Sequence, residues 1–328
     1  MSVRSTLLSI LTIGALAGSL GTAACAAAYP EKPVTLIVSA VPGSPLDTLG
    51  RMIATEAGRD LNQVVVVENK PGASGTLGAQ VASRAKPDGY TLLLTLDTTA
   101  TVNPSFYKKS AFNANDSLTP VAFLGSFGQV LVAPAHLKAA TLKDFVEESK
   151  RQDLNYASAG VGSPGHLTME AFKLAAKAPL NHIPYQGSPA ALNDLLSGRV
   201  DTGFLVVAAV LPRIQTGDLK PLAVSGKRRN PQLPNVPTLS ETGLPGLENF
   251  DATFGYLILA PKDTPDPVIQ KWNGLLHDIM RRPAVVEKLK ILDIDPAFES
   301  PAAAREWVGQ NAKKWADVIE RAKLAVDQ

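Results

Sequence analysis

The chain has almost no cysteine. Cys25 is the single one in 328 residues, and it lies in an N-terminal stretch built like an export signal. Arg4 gives that stretch a short basic start, LLSILTIGALAGSLG an apolar core of suitable length, and ACAAAYP small-residue cleavage sites after Ala26 or Ala28. Removal of a signal spanning residues 1–28 leaves a mature chain without cysteine, which excludes a disulfide, a thiolate nucleophile and a cysteine-ligated metal. Two alternatives stand beside this reading. A membrane anchor is opposed by the Gly, Ala, Ser and Thr content and by the lack of a flanking charge before Glu31. Acylation of Cys25, as in a lipoprotein, is opposed by the preceding TAA, which lacks the large aliphatic residue such a site carries.

A large excess of charge of either sign is missing too. The formal net charge is +2 and no long basic run occurs, so nucleic acid is not expected as a partner. The four histidines, His136, His166, His182 and His277, have no metal-ligand spacing, and no metal is expected. The phosphate loop G-x-x-x-x-G-K-[ST] is absent and GASGTLG spaces its glycines by three, so no nucleotide or other cofactor is expected. The hydrolase elbow G-x-S-x-G fails at each candidate: Ser163 has Val161 before it, Ser74 has Thr76 after it, and Ser188 stands between Gln186 and Ala190. Ser163 and His166 could suggest a nucleophile and its base. Three residues apart at a helix start, the imidazole reads better as a capping or ligand-contact group.

What is present is α/β material. With 45% hydrophobic and 19% charged residues, the chain can bury a sizeable core, and its length suits two domains. Strand-like runs at 34–40, 64–69 and 91–96 alternate with helical patterns at 45–57 and about 75–85. A second set has strands at 154–159, 180–185, 202–207 and 219–225, with helices at about 165–177 and 189–197. Near-continuous apolar strands between helices predict parallel sheets covered on both faces. Two long apolar segments, 118–135 and 250–261, read as crossings between the halves, and Gly125, Gly128 and Gly255 within them mark an expected hinge. The predicted fold is therefore α/β, with two Rossmann-like lobes joined by two crossing strands. The first domain is discontinuous, 29–127 with 250–328, and the second is 128–249. A proline-rich loop, 228–249, precedes the return crossing, and the chain beyond Pro265 is helical.

The tripeptide Gly-Ser-Pro occurs at 43–45, 162–164 and 187–189, each time where a strand ends and a helix begins. Ser44, Ser163 and Ser188 are natural N-caps, the prolines suit the first helical position, and the glycines supply close approach or positive φ. Asp47 stands at capping-box spacing from Ser44. Ser300-Pro301 opens a helix without the glycine or the strand, so Ser-Pro alone marks only a helix start. The other three lie at the carboxyl edge of a sheet, where ligands bind and helix N-termini favour anions. Two further loops share that edge: one with Gly72, Ser74 and Gly75, the other with Thr98, Thr99 and Asn103. No basic residue lies in these loops. Donors for an anion are expected from backbone N–H groups and hydroxyls at Gly43, Ser44, Gly162 and Ser163. Tyr185, Gly187, Ser188 and Asp201 are further candidates, Asp201 reading first as a turn cap at the start of a strand and second as a ligand contact.

Over nearly its full mature length the sequence resembles the substrate-binding proteins of tripartite tricarboxylate transporters, the Bug family. The resemblance rests on YPEKPVTLIV, VVVVENKPGASGTLGAQVASRAKPDGYTLLL, YASAGVGSPGHLTMEAFK, HIPYQGSPAALNDLLSGRVD and LPNVPTLSETGLPG. It implies a periplasmic clamshell of type II binding-protein topology, without enzymatic activity. It further implies a small carboxylate ligand, membrane transporter subunits as partners, and a monomer. The ligand carboxylate would be held in the cleft by two loops, 40–47 and 158–166. Those loops bring Ala40, Val41, Gly43, Ser44 and Asp47, and Ser158, Gly160, Gly162, Ser163 and His166. The family's first loop carries an aromatic and two adjacent glycines, whereas here Ala40 replaces the aromatic and Ser44 the second glycine. A carboxylate-binding sensor subunit and an α/β hydrolase or transferase are the alternatives.

Overall fold

The computed structural model describes residues 29–107, 112–298 and 300–324, so the expected signal and Cys25 lie outside the described residues. The described residues from Lys32 onward form one compact unit, which carries everything described below. It begins β1 Val34–Val38, α1 Pro45–Leu61, β2 Val65–Asn69, α2 Thr76–Ser83 and β3 Thr91–Leu96. Three single turns follow, α3 Thr98–Thr101, α4 Asn103–Phe106 and α5 Ala114–Ser117. Next come β4 Leu118–Phe127, β5 Val130–Pro134, α6 Leu142–Ser149, β6 Asn155–Ser158, α7 Pro164–Ala176 and β7 Asn181–Pro184. Then follow α8 Ser188–Leu196, β8 Thr202–Leu205, α9 Val207–Gln215, β9 Leu219–Val224, β10 Phe254–Pro261, α10 Asp266–Met280, α11 Pro283–Ile291 and α12 Pro301–Arg321. Among the described residues no helix is long and apolar enough to cross a membrane.

The strands form two five-stranded sheets, ordered β2-β1-β3-β10-β4 and β7-β6-β8-β5-β9. β1 is parallel to β2 and β3, and β6 to β7 and β8. The expectation of purely parallel sheets fails at the crossings. β10 is antiparallel to β3 and β4, and β5 is antiparallel to β8 and β9. The reason is geometric: a strand arriving from the other lobe enters at the edge where the parallel strands end, so it must run back against them.

Each sheet is buried by the helices that its own sequence pattern supplies. On α1 the stripe Leu46, Leu49, Ile53 and Ala57 is buried, as its spacing predicts, and each such large side chain contributes about 1.5–3 kcal/mol. Asn62, left-handed at φ 48°, ends that helix. The C-terminal helices cover the first sheet, and Trp315 of α12 stacks on Phe254 with ring centroids 4.8 Å apart. The second sheet packs around Phe145, Tyr156, Phe172 and Phe204. The proline-rich loop adds Leu233, Val236, Leu239 and Leu247 to that lobe's core.

The chain passes between sheets at Gly128-Gln129, and again between Ser225 and Phe254. The two passages are sewn together by buried hydrogen bonds. Ser225 N donates to Gln129 O at 2.8 Å, and Gln129 N to Ser225 Oγ at 2.9 Å. Ser225 Oγ donates to Ala252 O at 2.8 Å, and Ala252 N to Ser225 O at 2.8 Å. Two of the three glycines expected at a hinge lie elsewhere. Gly125 and Gly255 sit inside the β4–β10 pairing. A Cβ on Gly255 would stand 2.4 Å from the Phe123 ring, and one on Gly125 2.5 Å from Asp295 O. Close packing demands glycine at both. Gly128 alone stands at a passage.

Candidate ligand-binding site

A cleft of about 580 Å³ opens at the carboxyl ends of both sets of parallel strands. Its rim is built from the strand-to-helix turns. Gly43, Gly162 and Gly187 of the repeated tripeptide are all left-handed, at φ 78°, 76° and 98°.

At the first turn Ser44 caps α1, its Oγ accepting from Asp47 N at 3.3 Å. The reciprocal bond goes one residue further back than a capping box requires: Gly43 N, not Ser44 N, donates to Asp47 Oδ2 at 2.9 Å. Asn69 Nδ2 donates to Asp47 Oδ1 at 2.8 Å and Arg51 Nε to Oδ2 at 3.0 Å. Burial alone would raise the Asp47 pKa, but these bonds hold the carboxyl below its usual value. Asp47 is buried and does not line the cleft.

The second turn repeats the geometry with a different acceptor. Gly162 N donates to His166 Nδ1 at 3.1 Å, so the neutral ring carries its proton on Nε2. Ser163 has the backbone of a cap at φ −69° and ψ 159°, yet its side chain caps nothing. Its Oγ is buried, without a partner, in the cleft wall. Behind it His166 stacks on His182 at 4.1 Å, and His182 on Tyr156 at 4.7 Å. Ser158 Oγ is 2.7 Å from His182 Nε2. Burial pushes His166 down to about 3, helped by His182 and Lys173, and His182 down to about 4.

At the third turn Gly187 is the cap and Ser188 the first helical residue, which corrects the expected cap at Ser188. Gly187 N donates to Ala159 O at 3.2 Å, and Tyr185 N to Ser158 O at 3.0 Å, which fastens this turn to the second. Tyr185 turns its hydroxyl to Asp194 at 2.9 Å. In the fourth loop Gly72, Ala73, Ser74 and Gly75 are all left-handed. Ser74 Oγ donates across the cleft to Val161 O at 2.6 Å. At the fifth loop α3 and α4 are four residues each, too short to present a helix end to a ligand. Here Thr95 Oγ1 lies 2.7 Å from both Ser39 Oγ and Thr99 Oγ1. Just before them Asp97 is fully buried and pushed up to about 7 by burial, with Trp307 Nε1 donating to Oδ2 at 2.7 Å.

Eleven of the expected residues line the cleft: Ala40, Val41 and Ser44; Ser74, Thr98 and Thr99; Gly160 and Ser163; Tyr185, Gly187 and Ser188. Gly43, Asp47, Ser158, Gly162 and His166 stand behind the rim and hold it. Asn103 also stands behind, donating to Ser74 O at 3.2 Å and Thr76 Oγ1 at 2.8 Å. Asp201 lies at the wrong end: its Oδ2 accepts from Asn155 N at 2.7 Å at the amino ends of β6 and β8, whereas the cleft is at the carboxyl ends. The expected backbone donors are also corrected. Gly43 N and Gly162 N serve Asp47 and His166, while Ser44 N donates to Val41 O and Ser163 N to Gly160 O. The turns satisfy their own amides and leave the Ser163 hydroxyl. Sequence reasoning missed the floor, made by Leu46, Leu96, Phe127, Gln129, Phe204 and Tyr256. None of the described lining residues carries a charge. Among the described residues no group of three His, Cys, Asp or Glu could hold a metal ion.

Residues 49–324 match the family described as "Tripartite tricarboxylate transporter family receptor". The chain is similar to Protein BugT of Bordetella pertussis, 32% identical over 315 residues that cover 94% of this chain and 96% of BugT. Among solved structures, R. palustris Rpa4515 with adipate aligns with a TM-score of 0.85 at 27% identity, over 90% of this chain and 99% of that one. MatC from Rhodopseudomonas palustris with bound malate aligns with a TM-score of 0.79 at 29% identity, over 89% of this chain and all (100%) of that one.

Proposed function

The chain belongs to the tripartite tricarboxylate transporter receptor family, and from that premise we propose that it captures a small organic carboxylate in the periplasm and passes it to the membrane subunits of such a transporter. The observation that carries the proposal is the Ser163 hydroxyl, buried and unpartnered in the cleft wall at the start of α7. A buried hydroxyl without a partner costs about 1–3 kcal/mol, which a ligand oxygen would recover. A helix start also favours a negative ligand group. The adipate and malate in the two R. palustris proteins support the same ligand class.

The protein works as a monomeric binding protein rather than an enzyme. A hydrolase on this frame would need a base on Ser163, but the Ser163 hydroxyl has no hydrogen-bond partner and His166 receives Gly162 N through Nδ1 instead. Capture involves rotation of a lobe built from 29–127 and 250–328 against one built from 128–249, about the passages at Gly128-Gln129 and Ser225. The cleft rim formed by Ala40, Val41, Ser44, Ser74, Thr98, Thr99, Gly160, Ser163, Tyr185, Gly187 and Ser188 contacts the ligand. Export follows from cleavage after Ala26 or Ala28.

The test is a thermal-shift screen of the purified protein against mono-, di- and tricarboxylates, amino acids and sugars. A rise in melting temperature confined to carboxylates is expected, with a smaller radius of gyration by scattering when the best of them is saturating. A screen in which sugars alone stabilise the protein would sink the reading.

A further inference from the structure

Three helices of this chain, α1, α7 and α12, follow a serine and open on proline with the same backbone. Ser44, Ser163 and Ser300 have φ −73°, −69° and −61° and ψ 160°, 159° and 162°. Ser44 Oγ accepts from Asp47 N at 3.3 Å and Ser300 Oγ from Ala303 N at 3.2 Å, the ordinary service of a cap. Ser163 Oγ makes no such bond and has no partner. Backbone geometry does not account for the difference, so a neighbour must. That neighbour is Gln129. Its backbone belongs to the passage between sheets and is tied to Ser225 through both N and O. Its side chain, in a residue only 3% exposed, lies against the first turn of α7. With the amide oxygen toward Gly165, it accepts from Gly165 N at 3.2 Å and donates to Pro164 O at 3.3 Å and Thr168 Oγ1 at 2.9 Å. The reverse orientation bonds α7 only through Thr168, at 2.9 Å, and reaches Phe204 O at 3.3 Å, so the first holds α7 better. Gly165 N is one of the two amides that a capping Ser163 would take. Gly165 also makes the approach possible: a Cβ there would stand 2.5 Å from Phe204 O of β8 and 3.5 Å from the Gln129 amide.

We infer that Gln129 is the positioning residue of the cleft: it caps α7 in place of Ser163 and so leaves the Ser163 hydroxyl to the ligand. The inference rests on the reading that Ser163 meets a ligand oxygen. A capping serine holds its χ1 over the helix amides, whereas an Oγ without that bond is free to turn its proton toward a bound molecule. Because the Gln129 backbone is bonded to Ser225, the same side chain fixes the first turn of α7 relative to the passage about which the lobes turn.

Two double-mutant cycles test it, with Gln129→Met, which keeps length and bulk without the amide, and Ser163→Ala. The first is read by denaturant titration at neutral pH without ligand. In the parent, Ser163→Ala should leave the unfolding constant unchanged or lower it, because it removes a buried hydroxyl that has no partner. Ser300→Ala, which removes a working cap, should raise it about fivefold. In Gln129→Met the vacated helix end recruits Ser163, so Ser163→Ala should now raise the unfolding constant about fivefold too. The second cycle, isothermal titration with adipate and malate, reads the exchange in reverse. Ser163→Ala should weaken binding about tenfold in the parent, the loss of a hydrogen bond to a charged group, and far less in Gln129→Met. A Gln129 that merely supports the fold would lower stability without altering what Ser163→Ala does, so equal effects in both backgrounds overturn the inference. Destabilisation of the parent by Ser163→Ala as large as that by Ser300→Ala overturns it as well, and this comparison decides if Gln129→Met does not fold. If the stability cycle holds and adipate, malate and citrate all fail to bind the parent, the exchange of caps stands and the carboxylate reading falls.

Discussion

Ser74 and Val161 join the two lobes directly. The Ser74 hydroxyl, on the loop after β2, donates to the carbonyl of Val161, on the loop after β6, at 2.6 Å. Ser74 holds this position from a left-handed backbone at φ 49°, next to Ala73 at 44°, both unusual for residues with a Cβ. Asn103 and Thr99 brace the loop from behind by donating to Ser74 O. Strain of this kind persists where the surroundings over-determine it, and here the bond it serves spans the cleft.

Removing that bond should shorten the bound state. Ser74→Gly deletes the hydroxyl and relieves the left-handed backbone, so it tests the bond without adding strain. A net hydrogen bond contributes about 0.5–1.5 kcal/mol, so ligand dissociation measured by stopped flow should speed up by about two- to tenfold. An unchanged dissociation rate would mean that the bond does not hold the lobes together.

The passages between lobes make a second test. Ser225 Oγ accepts from Gln129 N and donates to Ala252 O, so one side chain ties both crossings. Ser225→Ala leaves a buried donor and a buried acceptor unmatched. A loss of about 1–3 kcal/mol in unfolding free energy is expected from denaturant titration. Wider opening of the unliganded protein, seen as a larger radius of gyration, should accompany it; stability equal to the parent would show that the knot is not a structural tie.

The legible part of the site was the part written in local turn chemistry. Gly-Ser-Pro marked three strand-to-helix turns because a glycine at positive φ followed by Ser-Pro leaves a residue-level signature, although only Ser44 caps with its side chain and Pro189 is the second helical residue. The floor was not legible. Phe127 and Tyr256 lie on apolar crossing strands, and nothing in an apolar run says which side chain faces a cleft and which a core. The same ambiguity hid α9, whose VVAAVL start reads as the end of the strand before it, whereas α6 was legible from its Thr141–Asp144 capping box and its Leu142, Phe145 and Val146 stripe. Asp201 stands at the start of β8, where its turn-cap reading applies, while the cleft lies at the strands' other ends. The backbone donors were overcounted because turn amides bond within their own turns, which residue types do not reveal.

Asp97 gives the stability a pH dependence. Burial raises its carboxyl from 3.8 to about 7, so the folded state binds the proton more tightly than the unfolded chain does. Its contribution is therefore complete below about pH 4 and is lost as the pH rises to about 7. Asp97→Asn cannot ionise. The stability of the variant relative to the parent should climb across that window and level off above it, read from chemical denaturation at a series of pH values. A constant difference from pH 4 to 8 would place the Asp97 pKa at its ordinary value.

The stacked histidines act in the opposite direction. His166 falls to about 3 and His182 to about 4, from 6.5, chiefly through burial; Lys173 and the neighbouring ring oppose a charge on His166, while Glu170 partly favours one on His182. Tyr156 and Phe106, the other rings packed against His166, bring no charge. Both imidazoles are neutral in the folded protein at neutral pH, and the unfolded chain takes up protons first as the solution is acidified. The stability they contribute is present above about pH 6.5 and is lost as the pH falls through 4 and then 3, at up to about 1.4 kcal/mol per pH unit for each group. Protonation of His166 also removes the acceptor for Gly162 N, which holds the turn that presents Ser163. Ligand affinity should therefore drop with stability in acid, more steeply than the ligand's own titration explains. His166→Gln keeps an acceptor that does not titrate in this range, and it should retain both affinity and stability further into acid than the parent does. If parent and variant lose binding along the same pH curve, the imidazole is not what fails in acid.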